Sequence, residues 1–417
     1  MKRIIIEGKR TLNGKIKISG AKNSAVALIP ATILSDEPVI INNVPNISDI
    51  DALITILKFL NAKVIRKDNS LIIDSSKIEN KEIPEDISKK LRASYYFMSS
   101  ILGKYKKVNM YFPGGCNIGK RPIDQTLKAF KNLGSVIEEK DNKYNIYAEK
   151  LIGSEIILDM PSVGATINAI FASVKADGKT IIKNAAQEPE IDNVIEMINK
   201  MGGDVKRENG TTIIINGVKS LHGTTIDVIP DRIEAGTYII IGALIGKDLT
   251  IENIIPKHIE SLLLKLKEAN VKYELKKNSI VLNKSDKLKP VNIETKGYPG
   301  FATDLQQPFT VLLTQCDGVS YLTENIYENR FNNVSYLNKM GANIEIIDKT
   351  IKIDGKTALK GTTVVATDLR AGACMVIAAL IASGTTIIED IDHVLRGYED
   401  IIKKLETVGA KILKEEI

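Results

Sequence analysis

"VGAKILKEEI" (Val408–Ile417) closes an amphipathic helical pattern at Gly409, starts an alternating strand and goes no further. The same junction occurs at "LNAKV" (Leu60), "LGSVI" (Leu133), "MGGDV" (Met201), "KEANV" (Lys267) and "MGANI" (Met340). Six junctions about 70 residues apart mark an internal repeat. Lys267, Met340 and Val408 each follow Leu60, Leu133 and Met201 by 207 residues, so the chain reads as a duplicated half of three units.

Units continue with a strand, a polar glycine-containing turn and another strand, as in "IIINGVKSLHGTTIDVIPD" (Ile213–Asp231) and "IKIDGKTALKGTTVVATDL" (Ile351–Leu369). The last unit lacks this pair, whereas "IIIEGKRTLNGKIKISG" (Ile4–Gly20) opens the chain with one. The N-terminal strands are therefore expected to complete the sixth unit. That assigns residues 22–229 to a first lobe and residues 1–21 with 230–417 to a second.

Each strand pair leads into a helix rich in small apolar residues: "KNSAVALIPATIL", "RASYYFMSSIL", "SVGATINAIFASV", "DRIEAGTYIIIGAL", "DLQQPFTVLLTQ" and "DLRAGACMVIAALIA". Helices apolar nearly all round are buried. Their starts are polar: Lys22 and Asn23, Arg92, Ser162, Asp231 with Arg232, Asp304, and Asp368 with Arg370. Asp231, Asp304, Asp368 and Ser162 suit either N-caps or a shared cleft. Lys22, Arg92 and Arg370 oppose the helix dipole, which points to an anionic partner.

Composition narrows the function classes. The 417 residues are 44% hydrophobic and 26% charged, the balance of a globular chain, and no apolar run approaches the roughly 20 residues of a membrane span. A cytoplasmic protein is expected. Three cysteines and three scattered histidines offer neither a disulfide framework nor a zinc site, so no metal is expected. A net charge of +6 with 5% aromatic residues supplies little for base stacking, which disfavours nucleic acid as a partner.

"YFPGGCNIGKRPID" (Tyr111–Asp124) sets Cys116 between a strand-like and a helix-like run. Lys120, Arg121 and a helix start lower a thiol's pKa, so Cys116 reads as a nucleophile or acid, or else as an inert turn thiol. Cys316 and Cys374 fall in apolar helical patterns and read as core.

That loop, with "GAKNSA", "LRAS", "SVGAT", "AAQEPEI", "PDRIEAGT", "TDLQQ", "TENIYENRF", "DLRAG" and "LRGYE", resembles the UDP-N-acetylglucosamine 1-carboxyvinyltransferases of the EPSP synthase superfamily. The resemblance implies an α/β fold: a two-lobed inside-out α/β barrel of six repeats, three per lobe, with the active site between lobes. It implies transfer of the enolpyruvyl group of phosphoenolpyruvate to the 3-hydroxyl of UDP-N-acetylglucosamine, without a cofactor. Lys22, Asn23, Arg121 and Arg396 would meet the phosphate, and Arg330 and Arg370 the carboxylate. Arg92, Arg121, Pro122, Ile123, Asp124, Gln125, Ser162, Val163, Gly164, Asp304 and Ile326 would hold the sugar nucleotide. Asp304 would be the base. Cys116 would be the acid, able to carry a covalent phosphoenolpyruvate adduct and to be alkylated by fosfomycin. Two alternatives are a sister enzyme acting on shikimate 3-phosphate, which lacks the Pro-Gly-Gly-Cys loop, and a nucleic-acid-acting relative of the repeat fold.

Overall fold

The computed structural model describes residues 2–89, 92–112, 122–328 and 330–416. They divide into two compact units, one of residues 2–19 with 230–416, the other of residues 20–112 with 122–229. Each unit runs three times through one cycle of apolar helix, strand, outer helix, two antiparallel strands and short parallel strand, the last reduced after Ser70–Asp74 to a single parallel bridge of Ile83 with Met110.

The apolar helices form each unit's centre. In one unit these are Lys22–Ala31, Tyr96–Tyr105 and Val163–Ser173, and in the other Arg232–Ile245, Thr303–Leu313 and Leu369–Ile381. Every residue from Ile233 to Leu244 and from Arg370 to Leu380 is buried. Full burial of one such aliphatic side chain contributes about 1.5–3 kcal/mol, so this sequence stretch cannot sit at a surface. The outer helices, such as Asp124–Asn132 and Pro189–Lys200, bury one face only.

Among the described residues the strands form six separate sheets, three in each unit. Lys2–Glu7 lies between Thr385–Glu389 and Lys411–Glu416, antiparallel to both, with Ile4 opposite Ile388 and Lys414. The two strands of each pair belong to one repeat, as expected from the sequence, but they join different sheets. Thr212–Asn216 pairs antiparallel with Lys179–Lys183, but Thr225–Asp227 runs parallel to Val39–Asn42 of another sheet. Leu12–Lys17 likewise leaves its predecessor and lies parallel to Gly246–Glu252. The physical reason is edge protection: the strand that follows each central helix would otherwise expose an unpaired row of backbone N–H and C=O groups. Each repeat thus covers its neighbour's edge, and the three repeats of a unit close on one another. No described helix is long and apolar enough to cross a membrane.

Candidate active site

In the unit of residues 230–416, the starts of the central helices carry the expected acids, with different uses. Asp231 Oδ1 accepts hydrogen bonds from the amides of Ile233 and Glu234 at 2.8 and 2.9 Å, and Asp368 Oδ1 accepts from Arg370 and Ala371 at 2.9 and 3.0 Å. Both are N-caps. Asp304 is not: Ala302 occupies that position, and the Asp304 carboxylate turns to side chains instead. Arg330 Nη2 donates to Oδ1 at 2.7 Å and Arg370 Nη2 to Oδ2 at 2.9 Å. Both arginines are 4% exposed. Burial pushes the Asp304 carboxyl up, but Arg370 and Arg330 outweigh it and hold the group well below the usual carboxylate range. Pro308, four residues on, has no N–H for the Asp304 carbonyl, so the helix ladder holds this turn less and the ion pairs hold it more.

The surroundings keep both guanidiniums oriented. Arg370 lies over the Tyr398 ring, 5.4 Å from its centroid, and the Tyr398 hydroxyl meets Thr237 Oγ1 at 2.9 Å. Arg330 lies 5.1 Å from the Tyr327 centroid, and its Nη1 donates to Thr303 Oγ1 at 2.7 Å. Thr303 in turn donates to Glu324 Oε2 at 2.8 Å. Ile326 is exposed, and Arg396 is half-buried at the end of the short helix Asp392–Leu395. Thus Asp304, Arg330 and Arg370 form one cluster.

In the unit of residues 20–229, Lys22 opens its helix and places Nζ 2.6 Å from Asp49 Oδ2, with Asn23 half-buried beside it. The Arg92 guanidinium lies 5.6 Å from the Tyr95 ring centroid. Ser162 caps the helix Val163–Ser173, accepting from the Ala165 amide at 3.3 Å. Gly164 in its first turn leaves room for the Tyr95 hydroxyl, which would have to move away from a Cβ there, 1.4 Å from it. Tyr95 therefore brings Arg92 and the Ser162–Gly164 turn together. Exposed Pro122 and buried Ile123 lead into the helix Asp124–Asn132. There Gln125 bonds Asp159 twice, Nε2 to Oδ2 at 2.9 Å and Oε1 from the amide at 2.8 Å, and also reaches Asp124 Oδ2. Cys116 and Arg121 lie outside the described residues. Cys316 and Cys374 are fully buried, and burial pushes the Cys316 thiol up to about 12 and Cys374 higher still, so neither is a nucleophile.

The sequence reading gave no role to Asp49, Tyr95, Thr303 or Glu324. For Glu324 a signal existed, since the alternation of Ser320 and Leu322 toward the core carries on to it. For Asp49 none did, because "SDIDAL" reads as an ordinary acidic first helical turn.

A cluster of buried guanidiniums on one carboxylate, together with helix starts carrying cations, suits substrates with carboxylate and phosphate groups. Known proteins agree. Residues 6–405 match the family model described as EPSP synthase (3-phosphoshikimate 1-carboxyvinyltransferase). UDP-N-acetylglucosamine 1-carboxyvinyltransferase 1 of Staphylococcus haemolyticus is 49% identical, over 99% of both chains. A UDP-N-acetylglucosamine 1-carboxyvinyltransferase 2 from Bacillus cereus is 47% identical, over 100% of this chain and 97% of the relative. In structure, the enolpyruvyl transferase NikO from Streptomyces tendae superposes with a TM-score of 0.91 at 24% identity, covering 99% of each chain. EPSP synthase from Acinetobacter baumannii gives 0.76 at 18% identity, covering 100% of each chain.

Proposed function

The chain belongs to the EPSP synthase family and, within it, to the UDP-N-acetylglucosamine 1-carboxyvinyltransferases, and from that premise we infer what its polar groups do. It transfers the enolpyruvyl group of phosphoenolpyruvate to the 3-hydroxyl of UDP-N-acetylglucosamine and releases phosphate, the first step of peptidoglycan precursor synthesis. The observation that carries the chemistry is the pairing of Asp304 with Arg330 and Arg370.

In this reading the sugar 3-oxygen attacks C2 of phosphoenolpyruvate while C3 gains a proton. Loss of a proton from C3 and of phosphate from C2 then restores the double bond. Asp304 accepts the hydroxyl proton, and its charge steadies positive character at C2. Cys116 supplies the proton to C3 and can hold phosphoenolpyruvate as a thio-adduct. Lys22, Asn23, Arg121 and Arg396 take the phosphate, and Arg330 and Arg370 the carboxylate. Arg92, residues 121–125, Ser162–Gly164 and Ile326 take the sugar nucleotide, with the helix start at Ser162 suited to the diphosphate.

A carboxylate held by two guanidiniums is a weak base. The substrate carboxylate competes for Arg330 and Arg370, so its arrival frees Asp304 to accept a proton. The chain thereby acts as a cytosolic enzyme of cell-wall growth and division, with Cys116 as the site of alkylation by fosfomycin.

A phosphate-release assay tests this reading. Release is expected with phosphoenolpyruvate plus UDP-N-acetylglucosamine and not with shikimate 3-phosphate as acceptor. If folded Cys116→Ser and Asp304→Ala variants both kept the wild-type rate, the assigned roles would be wrong. Intact mass after fosfomycin treatment is expected to show one adduct, lost in Cys116→Ser.

A further inference from the structure

Glu324 follows the strand Gly318–Thr323 and is 3% exposed. A carboxylate that deep is retained only with a full set of donors, and Glu324 has one. Its Oε1 accepts from Thr295 Oγ1 at 2.9 Å and from the amides of Ile326 and Tyr327 at 2.7 and 3.2 Å. Its Oε2 accepts from Thr303 Oγ1 at 2.8 Å.

Each threonine hydroxyl has a direction as a result. Having given its proton to Glu324, Thr295 Oγ1 accepts from the Asn325 amide at 2.8 Å, and Thr303 Oγ1 accepts from Arg330 Nη1 at 2.7 Å. The chain of donors thus runs from guanidinium to hydroxyl to carboxylate. The other end of the same guanidinium meets Asp304, and Gln307 Nε2 donates to the Arg330 carbonyl at 3.2 Å. The Arg330 guanidinium therefore has one anchor on each terminal nitrogen, and only Asp304 is a group that a substrate carboxylate would replace.

We propose that Thr303 and Glu324 are positioning residues that hold Arg330 in its binding orientation after Asp304 lets go. This rests on the enolpyruvyl transfer reading above, and extends it to residues to which that reading gives no substrate contact. The Thr303 hydroxyl fixes the guanidinium; Glu324 fixes the hydroxyl's polarity and, through the two amides, the backbone at Ile326.

The test is a pair of near-isosteric variants. Thr303→Val keeps the shape and removes the hydroxyl, and is expected to raise KM for phosphoenolpyruvate about tenfold while leaving KM for UDP-N-acetylglucosamine unchanged. Thr303→Ser keeps the hydroxyl and is expected to stay within about threefold of wild type. Glu324→Gln, which turns one oxygen into a donor facing Thr303, is expected to raise both KM values. A second readout does not depend on turnover: the 15N-labelled guanidinium of Arg330 should show slow proton exchange in wild type and Thr303→Ser, and fast exchange in Thr303→Val. Equal phosphoenolpyruvate KM values in Thr303→Val and wild type, or unchanged Arg330 exchange, overturn the proposal. Wild-type protein that fails to turn over these substrates overturns the function instead, and the exchange measurement then decides the positioning role alone.

Discussion

Two carboxylates in one unit, the half-buried Asp304 and the buried Glu234, are driven in opposite directions. Glu234, in the first turn of its helix, accepts from Lys404 Nζ at 2.6 Å and from the Ser19 amide at 2.8 Å, with the Asp231 carboxylate nearby. Burial comes first and pushes it up to about 7; Lys404 resists, and Asp231 adds to the rise. At Asp304 burial acts in the same direction, yet two guanidiniums reverse it. Burial alone therefore does not set the protonation state at these helix starts. The number and geometry of the cations do, and two planar forks achieve what one ammonium does not.

The sharpest way to break the contrast is to remove the Asp304 carboxylate. Asp304→Ala leaves Arg330 and Arg370 buried without it, which costs about 3 kcal/mol or more, and phosphate release should fall at least about a hundredfold. Urea melts should then show phosphoenolpyruvate restoring more stability to the variant than to wild type, because the substrate carboxylate supplies the missing charge. Equal gains in both proteins would mean that the arginines do not receive that carboxylate.

The next test uses pH, where the two groups should slope in opposite directions. Glu234 has a folded pKa raised above an unfolded value of about 4.3, so its contribution is fully present below about 4.3 and is lost as pH rises through about 7. Asp304 has a lowered folded pKa, so its contribution is present above about 3.9 and is lost as pH falls below that. Glu234→Gln should accordingly gain stability relative to wild type as pH rises from 5 to 8, whereas the loss in Asp304→Asn should stay constant over that range and shrink only below about pH 3.9. Lys404→Met sharpens this further. Its cost should be about 2–3 kcal/mol at pH 8 and smaller at pH 5, where Glu234 takes up a proton. Thermal melts of the three variants across that range measure it.

How much of this was legible in the sequence depends on the range of the signal. The six apolar helices and the 207-residue offset are local patterns repeated, and a repeated pattern is readable without knowing what it packs against. Asp231 and Asp368 read equally well as caps or as cleft residues, and they cap. Asp304 has the same look in sequence, but its partners lie 26 and 66 residues away, and no local periodicity encodes that. The partners of the paired strands were hidden for a similar reason. A strand's alternation shows which face is buried but not which neighbour it joins, so Thr225–Asp227 reads the same whether it pairs within its repeat or with Val39–Asn42. Arg92 stood out at its helix start and Arg330 only through motif resemblance, and the groups beside them, Tyr95 and Thr303, emerge only from packing.

The smallest expected effect supplies the comparison's neutral reference. Ser162 does at its helix start what Asp231 does at another, but with an uncharged hydroxyl and one bond at 3.3 Å instead of two near 2.9 Å. Ser162→Ala should cost about 0.5–1 kcal/mol. Since a hydroxyl does not titrate in this range, that cost should stay constant from pH 5 to pH 8 in the same melts that separate Glu234 from Asp304. A pH-dependent loss at Ser162 would show that a group titrating between pH 5 and pH 8 reaches this turn. Ser162 would then no longer serve as the uncharged reference, and the contrast with the arginine-held carboxylate would narrow from a difference in kind to one of degree.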